Sequence, residues 1–140
     1  MPQERWKSLQ PLRVPPGWTF LFNKLEDMEP EDVPKDDELW LDAFTQDIMY
    51  LYANVQRKCN KQIEKQKLAI DLGWYPDGEP DGAFRMVVLL NDDWEAPLLE
   101  FSSRSKAEVV EKLESWLFKE FHPLHFIEED VFRKRFSKGN

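Results

Sequence analysis

The chain has 140 residues, 41% hydrophobic and 33% charged, with a net charge of -8 and one cysteine. That length and composition fit one globular domain, spanning residues 1–140, with no room for a second core. A lone thiol excludes an internal disulfide framework. The sequence shows neither an apolar run of about 18 residues nor a charged start followed by an apolar stretch, so a soluble cytoplasmic protein is expected. With 27 acids against 19 bases, phosphate backbones and anionic lipids are poor whole-surface partners, and a basic protein is a better one. The expected partners therefore include no nucleic acid and no membrane.

Residues 1–17 hold Pro2, Pro11, Pro15 and Pro16, which remove backbone donors and favour extended geometry, so they read as an irregular lead-in. In residues 18–25, Trp18, Phe20 and Phe22 alternate with Thr19, Leu21 and Asn23, the period of a strand with one apolar face. Residues 26–38 hold eight acids against Lys35. Pro30 and Pro34 break any helix there, leaving an acidic loop. Trp40, Phe44, Ile48, Leu51, Val55 and Cys59 then recur at spacings of three and four, which predicts a helix over residues 38–61. Arg57, Lys58 and Lys61 would complement the negative end of its dipole.

Leu68, Ile70, Leu72 and Trp74 alternate with Ala69, Asp71 and Gly73, predicting a strand that ends at the turn cluster of residues 76–82. Residues 83–90 are apolar on both parities apart from Arg85, as in a central strand. A turn over residues 91–97 leads to a last strand over 98–102. Ser105 and Glu108 form a capping box that opens a helix carrying Val109, Val110, Leu113, Trp116, Leu117 and Phe121 on one face until Pro123. Residues 128–136 read as a short third helix with a basic finish, and residues 137–140 as a frayed end. The order β-α-β-β-β-α gives an α+β domain in which helices pack on one face of a mainly antiparallel four-stranded sheet.

No motif assembles a catalytic or cofactor site. Asp77, Glu79 and Asp81 before Gly82 imitate the first half of a calcium-binding EF-hand loop. Position 12, where a bidentate glutamate is needed, is Val88, so the segment reads as a polar hairpin turn. His122 and His125, with Glu128 and Glu129 beyond them, have the wrong spacing for a helical zinc pair, and Pro123 interrupts them. Cys59 falls on the apolar stripe of the predicted helix, where a thiol acts as a small hydrophobe. No phosphate-binding glycine loop, dinucleotide fingerprint or nucleophile elbow occurs. The expectation is thus no catalytic residue, no metal and no cofactor.

Of six tryptophans, Trp18, Trp40, Trp74 and Trp116 fall on predicted core faces, leaving Trp6 and Trp94. Trp94 sits among Asp92, Asp93 and Glu95, where a large aromatic reads as an interface anchor. The basic segments 57–67 and 133–138 read as a helix end and a solvated tail. Negative charge, by contrast, is segregated. Residues 26–38 carry a net -7 and residues 77–100 a net -6, so the rest of the chain is +5. If the two regions adjoin, they form a potential well for a cationic partner, with Glu29, Asp32, Asp92, Asp93 and Trp94 as the expected contact residues.

The segments Arg13-Val14-Pro15-Pro16-Gly17-Trp18 and Asp71-Leu72-Gly73-Trp74-Tyr75-Pro76-Asp77-Gly78, with a capping-box helix running through Glu114-Ser115-Trp116-Leu117, resemble small acidic bacterial proteins that include toxin immunity proteins. The resemblance implies a non-enzymatic protein that neutralises a basic toxin domain by occlusion, and it assigns no binding residue. Two other readings stay open: a small enzyme or metal-dependent accessory domain using carboxylates of residues 77–81, and an acidic adaptor.

Overall fold

The computed structural model describes residues 8–59 and 62–121, without the side chains of 57–59. Five strands form one antiparallel meander in chain order. They are β1 (Thr19–Asn23), β2 (Met49–Cys59), β3 (Gln62–Tyr75), β4 (Ala83–Leu90) and β5 (Leu99–Ser103). A short helix, α1 (Leu39–Ala43), precedes β2, and α2 (Lys106–Ser115) follows β5 and continues as one π-helical segment over Trp116–Glu120. The class is α+β, as expected, but with five strands in place of four.

The added strand replaces most of the predicted first helix, which in the structure stops at Ala43. From Met49 the side chains alternate: Met49, Leu51, Ala53 and Val55 are buried, while Tyr50, Tyr52, Asn54 and Gln56 are partly or fully exposed. Leu51, Val55 and Cys59 are four apart, an even number, so the same spacing serves one face of a strand as well as one stripe of a helix. Cys59 accordingly ends a strand opposite Gln62, and the described residues of the basic segment 57–67 lie in the paired strands β2 and β3, not at a helix end. The predicted strand at 68–74 is the second half of β3. Trp6, His122, His125, Glu128, Glu129, the third helix and the basic tail lie outside the described residues.

Register places Met49, Leu72 and Met86 in one row and Leu51, Ile70 and Val88 in the next, all on the helix-covered face. Val109, Leu113, Trp116, Leu117 and Phe121 of the C-terminal helical segment close the core over it. Trp40 and Phe44 pack on the same face. Phe44 lies 5.0 Å from Trp74 and 6.1 Å from Phe84, and Trp40 lies 5.6 Å from Trp74, between ring centroids. Each such aromatic pair adds about 0.5–1.5 kcal/mol beyond area burial.

The two inner tryptophans also fasten loops. The Trp40 indole donates to the Pro34 carbonyl at 2.8 Å, and the Trp74 indole to the Glu79 carbonyl at 2.7 Å. Ser105 caps α2 as expected, its Oγ accepting from the Glu108 N–H at 3.2 Å. The Glu108 carboxylate, however, bonds the Ser103 hydroxyl, and Ser103 Oγ accepts from the Ser105 N–H at 2.9 Å. The lead-in is strapped to α2 where Arg13 meets Glu114 at 3.2 Å.

Candidate partner-binding surface

The meander sorts the acidic loops by sheet end. β4 runs from Ala83, paired with Tyr75, to Leu90, paired with Leu68, a rise of about 24 Å at about 3.4 Å per residue. At the Tyr75 end lie the connection from β1 to β2, the 76–82 turn and the start of α2. At the Leu68 end lie the 91–98 connection and the β2–β3 hairpin.

The 26–38 segment and the 76–82 turn therefore adjoin. Lys35 reaches Asp81 at 3.6 Å, and the Gly78 N–H donates to the Phe44 carbonyl at 2.7 Å. Asp92, Asp93 and Trp94 lie at the opposite end, so the five predicted contact residues do not form one surface. Trp94 is exposed there, as an anchor would be. Charge segregation was legible in the sequence; which acids meet depended on strand register.

Among the predicted residues, Glu29 and Asp92 are held by internal bonds. Glu29 Oε1 and Oε2 accept from the backbone N–H groups of Lys106 and Ala107 at 2.8 and 2.9 Å, capping α2. Beside it the Lys106 ammonium meets Asp27 at 2.7 Å. Asp92 accepts from the Tyr50 hydroxyl at 2.7 Å and pairs with Lys67 at 2.5 Å. Burial pushes the Asp92 carboxyl upward, but these two donors outweigh it and hold the group below its ordinary value. The same bonds, Asp92's first, raise Lys67, while burial raises Tyr50. Asp32 and Asp93 are exposed.

Residues other than the five expected contacts complete the acidic end. Glu31, Asp36, Glu38, Asp42, Asp47, Asp77, Glu79 and Asp81 are exposed in the segments at this end, and so is Leu41, at 73%. Gly78 lies against that leucine: a Cβ built on Gly78 would come 3.3 Å from the Leu41 side chain. A cavity of about 240 Å³ beside α1 is lined by Lys24, Glu26, Asp37, Glu38, Leu39, Asp42 and Ala43. Burial raises the Glu26 carboxyl, whose Oε2 has no hydrogen-bond partner. A surface leucine on a helix of 5 residues carries no sequence signal. In a helix over residues 38–61, Leu41 reads as widening the apolar stripe.

The turn that imitates a calcium loop is braced from within. Asp77 Oδ1 accepts from the Gln46 N–H at 2.6 Å, and Asp81 faces Lys35. Among the described residues no three His, Cys, Asp or Glu side chains are grouped to hold a metal ion, and no helix is long and apolar enough to cross a membrane. Compared with known proteins, the chain matches no family model, no curated protein and no solved structure.

Proposed function

We propose that this protein binds a cationic protein partner through the acidic end of its sheet and blocks that partner by occlusion, in the manner of a toxin-immunity protein. The observation that carries the reading is the convergence at one end of two acidic segments far apart in sequence, linked by Lys35 and Asp81, with the exposed Leu41 against Gly78 of the second. Clustered like charge draws an oppositely charged protein from a distance and orients its approach. An exposed apolar side chain beside the acidic segments then supplies a contact that excludes water and slows release.

Trp94 belongs to this reading only as a second, separate contact, since it stands at the other end of the sheet. The test is capture of a basic partner from native extract, followed by kinetics. Leu41→Ala should raise the off-rate several-fold and leave the on-rate nearly unchanged. A partner with no excess positive charge, or one whose dissociation ignores Leu41→Ala, would contradict the surface described.

A further inference from the structure

We infer that the free edge of β5, with the groove between it and α2, is a second binding element that takes an extended basic segment of a partner chain by strand addition. β5 is the last strand of the meander, and it pairs with β4 from Leu99 to Ser103 without a shift in register. In such a ladder every second residue turns its N–H and C=O away from the neighbouring strand. Among the described residues, no backbone group of 99–103 bonds another outside β4. An unpaired row of this kind accepts an extended chain as one more strand.

The other edge is built differently. β1 shifts register between Phe20 and Phe22, where Leu21 is exposed. A bulge bends the strand and interrupts the ladder, which is one way an edge is kept from pairing. No shift, proline or lysine interrupts β5.

The groove decides what the added strand carries. Phe101 stands on the helix-covered face beside Met86, its partner in register. Glu108, Glu111, Lys112 and Ser115 fall on one stripe of α2, and together with Phe101 they line a groove of about 270 Å³. Lys112 stands over the Phe101 ring, 5.2 Å from its centroid, and the Glu108 carboxylate is held by the Ser103 hydroxyl. Glu111 is exposed, with no hydrogen-bond or ionic partner among the described residues. Two carboxylates against one ammonium leave the groove negative, so a lysine or arginine fits it, its stem along the apolar floor and its head at Glu111.

Side chains on one face of an added strand recur about every 6.8 Å, and the stripe from Glu108 to Ser115 rises about 10.5 Å, so two alternate side chains enter the groove. The intervening ones fall beside Glu100 and Ser102 on the opposite face. There Glu100 is already paired with Arg85 at 3.0 Å, which suits small polar residues. A second copy of the chain fits less well, since each carries -8 and like charge opposes the approach.

The test is NMR titration of the isotope-labelled full chain with a synthetic peptide of alternating lysine and threonine. Binding should be tighter than about 1 mM, with the largest amide shifts in residues 99–103 and 106–115. Glu111→Lys, a change at an exposed helix position, should weaken it about 10-fold, and Glu111→Gln by less. Methylating the backbone nitrogens of all the lysines, or of all the threonines, separates strand addition from general attraction. One set of N–H groups faces β5 and the other faces solvent, so one methylated peptide should lose binding and the other keep it. Equal binding by both methylated peptides, or by a peptide with glutamate in place of lysine, would overturn the proposal. Shifts confined to residues 26–47 and 76–82 would also overturn it, while leaving the acidic end intact as the partner surface. Self-association of the chain that shifts the β5 amides without peptide would assign the edge to a second copy instead.

Discussion

Glu29 holds the first turn of α2 across 77 residues of sequence, its two carboxylate oxygens accepting from the Lys106 and Ala107 N–H groups. A carboxylate at a helix N-terminus satisfies donors that have no partner within the helix and opposes the positive end of the dipole. Glu29→Ala should therefore cost about 1–2 kcal/mol in urea unfolding, the usual loss for a removed cap. Glu29→Gln, which keeps one acceptor, should cost less. Partner association should hardly change in either variant. A large fall in on-rate with unaltered stability would show that Glu29 faces the partner instead.

Gly73 allows the loop before β2 to cross the sheet. A Cβ there would lie 2.2 Å from the Gln46 carbonyl oxygen, a backbone atom that cannot swing aside. The crossing is held by the Trp74 N–H donating to the Thr45 carbonyl at 2.8 Å. Gly73→Ala should destabilise by about 1–3 kcal/mol, the range for overpacking a filled site. Thermal melting reads this directly, and an unchanged melting temperature would contradict the packing described.

Asp71 lies on the sheet face away from the main core, in register with Tyr50 and Val87. Burial, reinforced by the Asp47 carboxylate and opposed by Arg85, raises it from 3.8 to about 6. Between those values the folded chain binds more protons than the unfolded one, so this group's contribution to stability falls as pH rises from about 4 to about 6. Asp71→Asn should remove that dependence and gain about 1 kcal/mol over the parent above pH 6. The full shift would carry about 3 kcal/mol, but solvent reaches the group and screens it. Unfolding curves at pH 4 and pH 7.5 check this. An equal parent-to-variant difference at both values would refute it.

The strand over 83–90 was legible as a short apolar run between two turn clusters, and the helix after Ser105 from its capping box and one-faced apolar pattern. The stretch from Met49 to Cys59 was not. Its apolar positions four apart satisfy a helix and a strand alike, and in a helix Tyr52 widens the apolar stripe, whereas in the structure it stands on the sheet face opposite Leu51. That misreading concealed the β2–β3 hairpin and made the lysines of 57–67 a helix end. The acidic character of the surface was plain in composition. Its division between two ends follows from strand pairing, which local sequence does not encode.

The central claim is that the acidic end, rather than the Asp92 to Trp94 connection, steers the partner. The most direct measurement is the association rate of the captured partner at 50 and 200 mM salt with two variant sets. One neutralises Asp32, Asp36, Glu79 and Asp81 as their amides; the other combines Asp93→Asn with Trp94→Ala. Electrostatic steering raises association by about 10-fold or more and fades with salt. The first set should therefore slow association about 10-fold at low salt, with a much smaller effect at high salt, while the second leaves the rate within about two-fold. Loss of association confined to the second set, or an on-rate indifferent to salt and to both sets, would contradict the account.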